Sequence, residues 1–209
     1  LDAARGGPAE GVFAQVIETL AASGTDWTVI ASIRTFDLRN GRRFRDAMPG
    51  TPPDPAFAET GLGNVRHFQV PRLADEDLDA AGIAASDLGS LFAAAPDKLR
   101  DLLRNVFNLS LAAQLLADGA SPDNIRTVAT QSDLIDVYED RRLVGTALHQ
   151  AASATVGAMV SRRRLVVRKV VVGHDQLDAV IQTGVLTDTG DLVSFAHHVL
   201  FDHVAGRFY

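Results

Sequence analysis

Ser32 and Arg34 close a mostly apolar, β-branched run from Trp27 to Leu38, WTVIASIRTFDL. Such a run fits a strand buried on both faces, as in a parallel sheet. In open parallel sheets ligands sit beyond the carboxyl ends of the strands. An arginine there is costly to bury and well shaped to read phosphate. Arg34 is therefore a nucleotide-sensor candidate with Ser32 beside it; the plainer alternative is a surface arginine that caps a strand end. Asp2 is the second acidic-site candidate, because an acid just past a strand end can hold Mg²⁺ or orient a water for phosphoryl transfer. Its alternative role is to cap a turn.

The third candidate lies at the other end, in FAHHVLFDHVAGRFY. Read as a helix from His197 to Phe208, the segment gathers Leu200, Phe201, Val204 and Phe208 on one face, with His197 near the centre of that stripe. A histidine among buried apolar neighbours needs a hydrogen-bond partner. The partner is either a core group or a ligand phosphate at a domain junction. His198 and Asp202 are four residues apart and can share an ion, but His197 and His203 point elsewhere on the helix. No metal site is expected.

The elements that must position these groups follow from periodicity and punctuation. Pro8 to Ala22 reads as a helix with Val12, Phe13, Val16, Ile17 and Leu20 on one face, and Trp27–Ile33 as the strand after it. Arg39 to Asn64 is rich in Gly, Pro and Arg and reads as a loop after a short helix. Val65–Val70 alternates like a strand and runs into Pro71. From Leu73 to Gln150 helical periodicity dominates. The last segment reads as a helix over Ala147–Arg164, a strand over Leu165–Val172, a short helix over Asp175–Thr183, a hairpin around Thr187–Gly190, and the terminal helix. That order suggests a winged-helix module. The predicted fold is α+β and mostly helical, in three parts: 1–72, 73–146 and 147–209.

With 209 residues, 46% of them hydrophobic and 22% charged, the chain is long enough for one large or two to three small domains. A net charge of −6 argues against a general nucleic-acid binder. From Val160 to Tyr209 six Lys/Arg against five acids leave only +1, a poor footprint for DNA. The absence of cysteine excludes disulfides and thiolate metal sites and fits a cytosolic protein. No apolar run approaches the length of a membrane span. The chain opens on Leu1 rather than Met, and one good strand with a short second one cannot build a parallel sheet. It is therefore read as a fragment that begins inside a domain.

A strand ending in Ser-x-Arg, a helical lid and a winged helix closing on Phe-x-His together resemble the STAND-type P-loop ATPases, in particular the NACHT-like bacterial branch related to AAA+ ATPases. LDAARGG resembles the tail of that family's Walker B region. The resemblance implies that Asp2 is the downstream acid that helps position the attacking water, and that Arg34 in ASIRTFD is the sensor-1 arginine. It also implies that Phe195, His197, Asp202 and Arg207 belong to the winged-helix pattern, in which the first histidine contacts the β-phosphate of ADP and holds the closed state. VFNLSLAAQLL (106–116) resembles the lid helix, without the proline common there. No Gly-x-x-x-x-Gly-Lys-[Ser/Thr] occurs in the chain, so the β- and γ-phosphates lack their main cradle and the fragment is not expected to hydrolyse ATP by itself.

The expectation is thus the C-terminal part of a nucleotide-dependent signalling switch, the end of a P-loop core followed by lid and winged helix. The resemblance implies ATP/ADP with Mg in the parent protein. It also implies partnership with the missing N-terminal part, homo-oligomerisation on activation, and, at family level, a place in bacterial antiphage defence. The rivals are a non-catalytic interaction adaptor of the same fold and a winged-helix DNA-binding regulator, which the charge disfavours.

Overall fold

The computed structural model describes residues 8–24 and 28–207, and the chain divides into two compact units, Leu1–Pro71 and Arg72–Tyr209. Asp2 and Trp27 lie outside the described residues.

The first unit holds helices α1 (Pro8–Ala22), α2 (Thr35–Asn40) and α3 (Arg42–Ala47) and a 3₁₀ turn, Pro55–Phe57. Two predicted strands are corrected here. Residues 28–34 carry no ladder, and of Val65–Val70 only Val65 forms a bridge, to Pro49. Strand propensity is realised only where a partner edge supplies hydrogen bonds, and no such edge exists among the described residues of this unit. The predicted loop is partly helical, since α3 falls inside it. The core is small: Leu38, Phe44, Leu62 and Val65, with Ile33 and Met48 packed against them. Of the predicted apolar face of α1 only Ile17 is buried, and Leu20 is half-buried. Ala14 and Ile17 are buried, whereas Val12, Phe13 and Val16 are exposed.

The second unit is mostly helical. Its first part runs through α4 (Asp75–Ala84), α5 (Ser86–Ala93), α6 (Asp97–Leu103), α7 (Val106–Ala117), α8 (Pro122–Arg126) and α9 (Gln131–Arg142). Several of these helices start on side-chain caps. Asn105 accepts from the Phe107 N–H, Ser121 from Asp123, and Thr130 from Asp133. These bonds satisfy amide groups that a helix leaves open at its first turn. Gly82 and Gly89 let α4 and α5 cross closely, because a Cβ on Gly89 would lie 2.8 Å from the Gly82 carbonyl oxygen. Asp75 ties α4 to α6 through Arg104 Nη2 at 2.7 Å and Arg100 Nη2 at 3.6 Å.

The chain then continues through α10 (Thr146–Arg162), β1 (Val167–Arg168), α11 (Lys169–Val172), α12 (Leu177–Gln182), β2 (Leu186–Thr189), β3 (Leu192–Phe195) and α13 (His198–Gly206). The strands form an antiparallel sheet in the order β1-β3-β2, with Val167 opposite Val193 and Leu186 opposite Phe195. The predicted strand Leu165–Val172 is cut to two residues. The Lys169 N–H donates to the Asp191 carbonyl at 2.7 Å, its ammonium pairs with Asp188, and the chain turns into α11. One continuous core runs from Leu78 on α4 to Val204 on α13. The architecture is therefore α+β and mostly helical, with one small antiparallel sheet.

Candidate functional site

In the first unit the chain after residue 28 leads into α2 with Arg34 at its N-cap, in extended geometry (φ −69°, ψ 142°). Ser32 and Arg34 line one cleft of about 810 Å³, together with Glu59, Arg66 and His67. Its floor is apolar and includes Ile33, Phe44, Leu62 and Val65. Glu59 is the only carboxylate among the described lining residues, and Arg39 already pairs with it. Two guanidinium groups and the Ser32 and Thr35 hydroxyls thus line one cleft. Such a cleft attracts an anion with an apolar body. His67 is fixed as a neutral ring: its Nδ1 donates to the Val65 carbonyl at 2.9 Å, while its Nε2 accepts from the Glu59 N–H at 2.7 Å. Phe68, which lines the cleft, stacks on Phe57 with ring centroids 4.3 Å apart.

His197 lies in the second unit, and its predicted position is corrected. It is not in the middle of a helical stripe but is the N-cap of α13, with φ −143° and ψ 141°. Its Nδ1 accepts from the Val199 N–H at 3.2 Å, so in the neutral ring Nε2 carries the proton. The ring stacks on Phe107 at 4.1 Å and 26°, and tilts against His198 at 4.3 Å. Phe107 belongs to the first turn of α7, the predicted lid helix. The positive ends of α7 and α13 therefore meet at this half-buried imidazole. Phe195, two residues earlier, is buried and lies edge-on to Phe201 at 5.8 Å. Asp202 is exposed.

Arg207 pairs with Glu139, and its Nη1 lies 3.8 Å from Asp136. His203 Nε2 is 2.9 Å from the same Asp136 carboxylate. The terminal helix is thereby tied to α9. Glu139 is fully buried, and its Oε1 has no hydrogen-bond partner among the described residues. Asn108 is also buried, giving its amide to the Leu102 carbonyl and accepting from Gln131 at 2.7 Å. Sequence reading missed both, although their spacing carries the signal. Glu139 stands four residues after Ile135, and Asn108 three before Leu111, so each falls on the apolar stripe of its helix.

The structure thus brings Ser32 and Arg34 into one cleft and places His197 where two helices of the other unit begin; Asp2 lies outside the described residues. Among the described residues no group of three or more His, Asp or Glu side chains is arranged to hold a metal ion, and no helix is long and apolar enough to cross a membrane. No protein-family model matches the chain, and no curated protein or solved structure matches it.

Proposed function

We propose that the chain is the C-terminal part of a nucleotide-dependent signalling switch of the STAND type. In this reading residues up to 72 end a P-loop core, the helices that follow form a lid, and 147–209 form a winged helix. The observation that carries the reading is the setting of His197. FAHHVLFDHVAGR folds with Phe195 buried and His197 at a helix N-cap, its ring ordered against Phe107 of the lid helix. A neutral imidazole with its proton on Nε2, beside two helix N-termini, suits an anionic phosphate oxygen.

ATP and ADP, with Mg, are the ligands this reading requires in the parent protein, and they supply a γ-phosphate whose presence or loss distinguishes two states. The residues present fit part of that requirement. The Ser32–Arg34 cleft sets two guanidinium groups over an apolar floor, and His197 lies at the N-terminus of α13. Neither replaces the phosphate-binding loop, which the sequence lacks. Arg34 acts as the γ-phosphate sensor and His197 as the clamp of the closed ADP state, and exchange of nucleotide shifts the population toward an assembling form.

The test uses a form of the protein that carries the phosphate-binding loop. His197→Ala weakens ADP binding by about 1–3 kcal/mol, the scale of a charge-assisted hydrogen bond, and raises spontaneous oligomerisation. Arg34→Ala lowers ATP turnover with the fold intact. The 209-residue chain itself shows no micromolar ATP binding by calorimetry. A melting temperature that His197→Ala lowers equally with and without ADP reduces His197 to packing and favours the adaptor rival.

A further inference from the structure

We propose that the exposed turn from Arg162 to Val166, with Val170, is a docking surface for an acidic segment of a partner protein that carries apolar residues beside its carboxylates. The first observation is backbone strain. Arg163 is the only non-glycine among the described residues with a positive φ, +52°. It occupies the left-handed position after α10, where the Arg163 N–H donates to Val160 and the Arg164 N–H to Met159. Glycine is the residue favoured at this point of a helix end, because it has no Cβ to clash. An arginine held there at a cost points to a use for its side chain.

The second observation is charge without partners. Arg162, Arg163 and Arg164 are all exposed, and none makes an ion pair or side-chain hydrogen bond among the described residues. The helix dipole accounts for Arg162, which is in the last turn of α10. Arg163 and Arg164 lie beyond that turn. The other cations of the module are committed: Arg168 to Asp191, Lys169 to Asp188, and Arg207 to Glu139.

The third observation fixes the partner's chemistry. Leu165 and Val166 follow the arginines at 41% exposure each, and Val170 is 81% exposed. A phosphate backbone makes no use of such side chains, and a module balance of +1 is too small to hold a duplex. A membrane surface would favour aromatic anchors, and this turn has only Leu and Val. Three guanidinium groups set against a short apolar strip match carboxylates interspersed with Leu, Ile or Val on another protein. This surface is independent of the nucleotide reading.

The experiment titrates the full chain into a fluorescein-labelled 16-residue peptide of alternating Glu and Leu/Ala character and follows anisotropy at about 50 and 300 mM salt, where screening separates the charge contribution. Parallel probes are the same peptide with Gln for Glu, a single-stranded oligonucleotide, and vesicles containing phosphatidylserine. The acidic peptide binds, the Gln peptide does not, and binding weakens with salt. Arg162→Gln/Arg163→Gly/Arg164→Gln loses at least tenfold in affinity. Arg163→Gly alone separates docking from folding, because it raises the melting temperature while weakening the peptide. Equal binding by the triple variant overturns the proposal. So does the absence of binding, or tighter binding to the oligonucleotide or the vesicles, which would reassign the surface to that ligand.

Discussion

The two units of the chain handle similar apolar content in opposite ways. In the second unit, one core runs through every layer and closes over Leu99, Leu115, Leu134 and Val180, all fully buried. In the first, the core cluster among the described residues has only four buried members, while Ile30 and Val70 stand 91% and 80% exposed. The helix starts differ less. In the second unit α7, α8, α9 and α13 begin on a capping side chain and α4, α5, α6, α10, α11 and α12 do not, while in the first α2 and α3 have none and the 3₁₀ turn starts on Asp54. The second unit is determined by its own residues at both local and tertiary levels, which is the condition for cooperative folding. The first has strand-forming segments with no strand to pair with among the described residues. The proposed phosphate-sensing cleft lies in that less self-sufficient unit.

The sharpest way to break this comparison is to cut one leucine from each core. Leu134→Ala, at zero exposure, costs about 2–5 kcal/mol and lowers the main thermal transition by circular dichroism. Leu62→Ala leaves that transition in place and instead speeds amide exchange in the first unit. An equal shift of the main transition by both variants would mean that the units fold as one. The next effect is smaller. Arg207→Ala strands the Glu139 carboxylate inside the protein, at a cost of about 1–3 kcal/mol, reduced from the fully buried case because Arg207 itself is half-exposed. Adding Glu139→Gln restores most of the loss in urea unfolding. If it restores nothing, Arg207 stabilises by packing rather than by charge.

What the sequence made legible follows the same division. The helices of the second unit announce themselves through Pro96 and Ser121-Pro122 at their starts, and the hairpin through Gly190 at its turn; for α9 the sequence points to Ser132 as the cap, whereas the structure places the cap at Thr130. Local signals sufficed there because the tertiary environment agrees with them. WTVIASI and VRHFQV carry equally clear strand signals, yet a strand exists only by virtue of its neighbour, and propensity says nothing about whether one is present. The site was half legible. Ser32 and Arg34 line one cleft, but its Glu59, Arg66 and His67 side comes from a stretch that reads as loop and strand. His197 reads as the first residue of its helix but is the N-cap one position before it, since histidine is not among the usual capping residues and the wheel carries the helical phase back through it. Glu139 and Asn108 were passed over because a polar residue on an apolar stripe is easily taken for an interruption.

The smallest expected effect tests whether side-chain caps contribute to the second unit's advantage. At the start of α9, Asp133 accepts from the Thr130 N–H at 2.9 Å and from the Ala129 N–H at 3.2 Å, while its own N–H donates to the Thr130 hydroxyl. The hydrogen bond with the Thr130 side chain, then that from the Ala129 amide, holds the Asp133 carboxyl below its ordinary value. A carboxylate whose folded pKa is depressed contributes stability that is present above its unfolded pKa and lost as pH falls through the folded one. The cap should therefore be at full strength at neutral pH and fade below about pH 4, where unfolded aspartates take up protons. Asp133→Asn keeps the size and an acceptor oxygen but removes the charge, which also interacts favourably with the positive end of α9. The urea midpoint of the variant should lie below that of the parent at pH 7, and the gap should close progressively as pH falls below about 4. The corresponding change at the uncapped start of α3, Arg42→Gln, should shift neither midpoint nor pH profile. A gap at α9 that stays constant across this range would show that Asp133 acts through its shape alone, and would remove charge from the account of why these helices hold their ends.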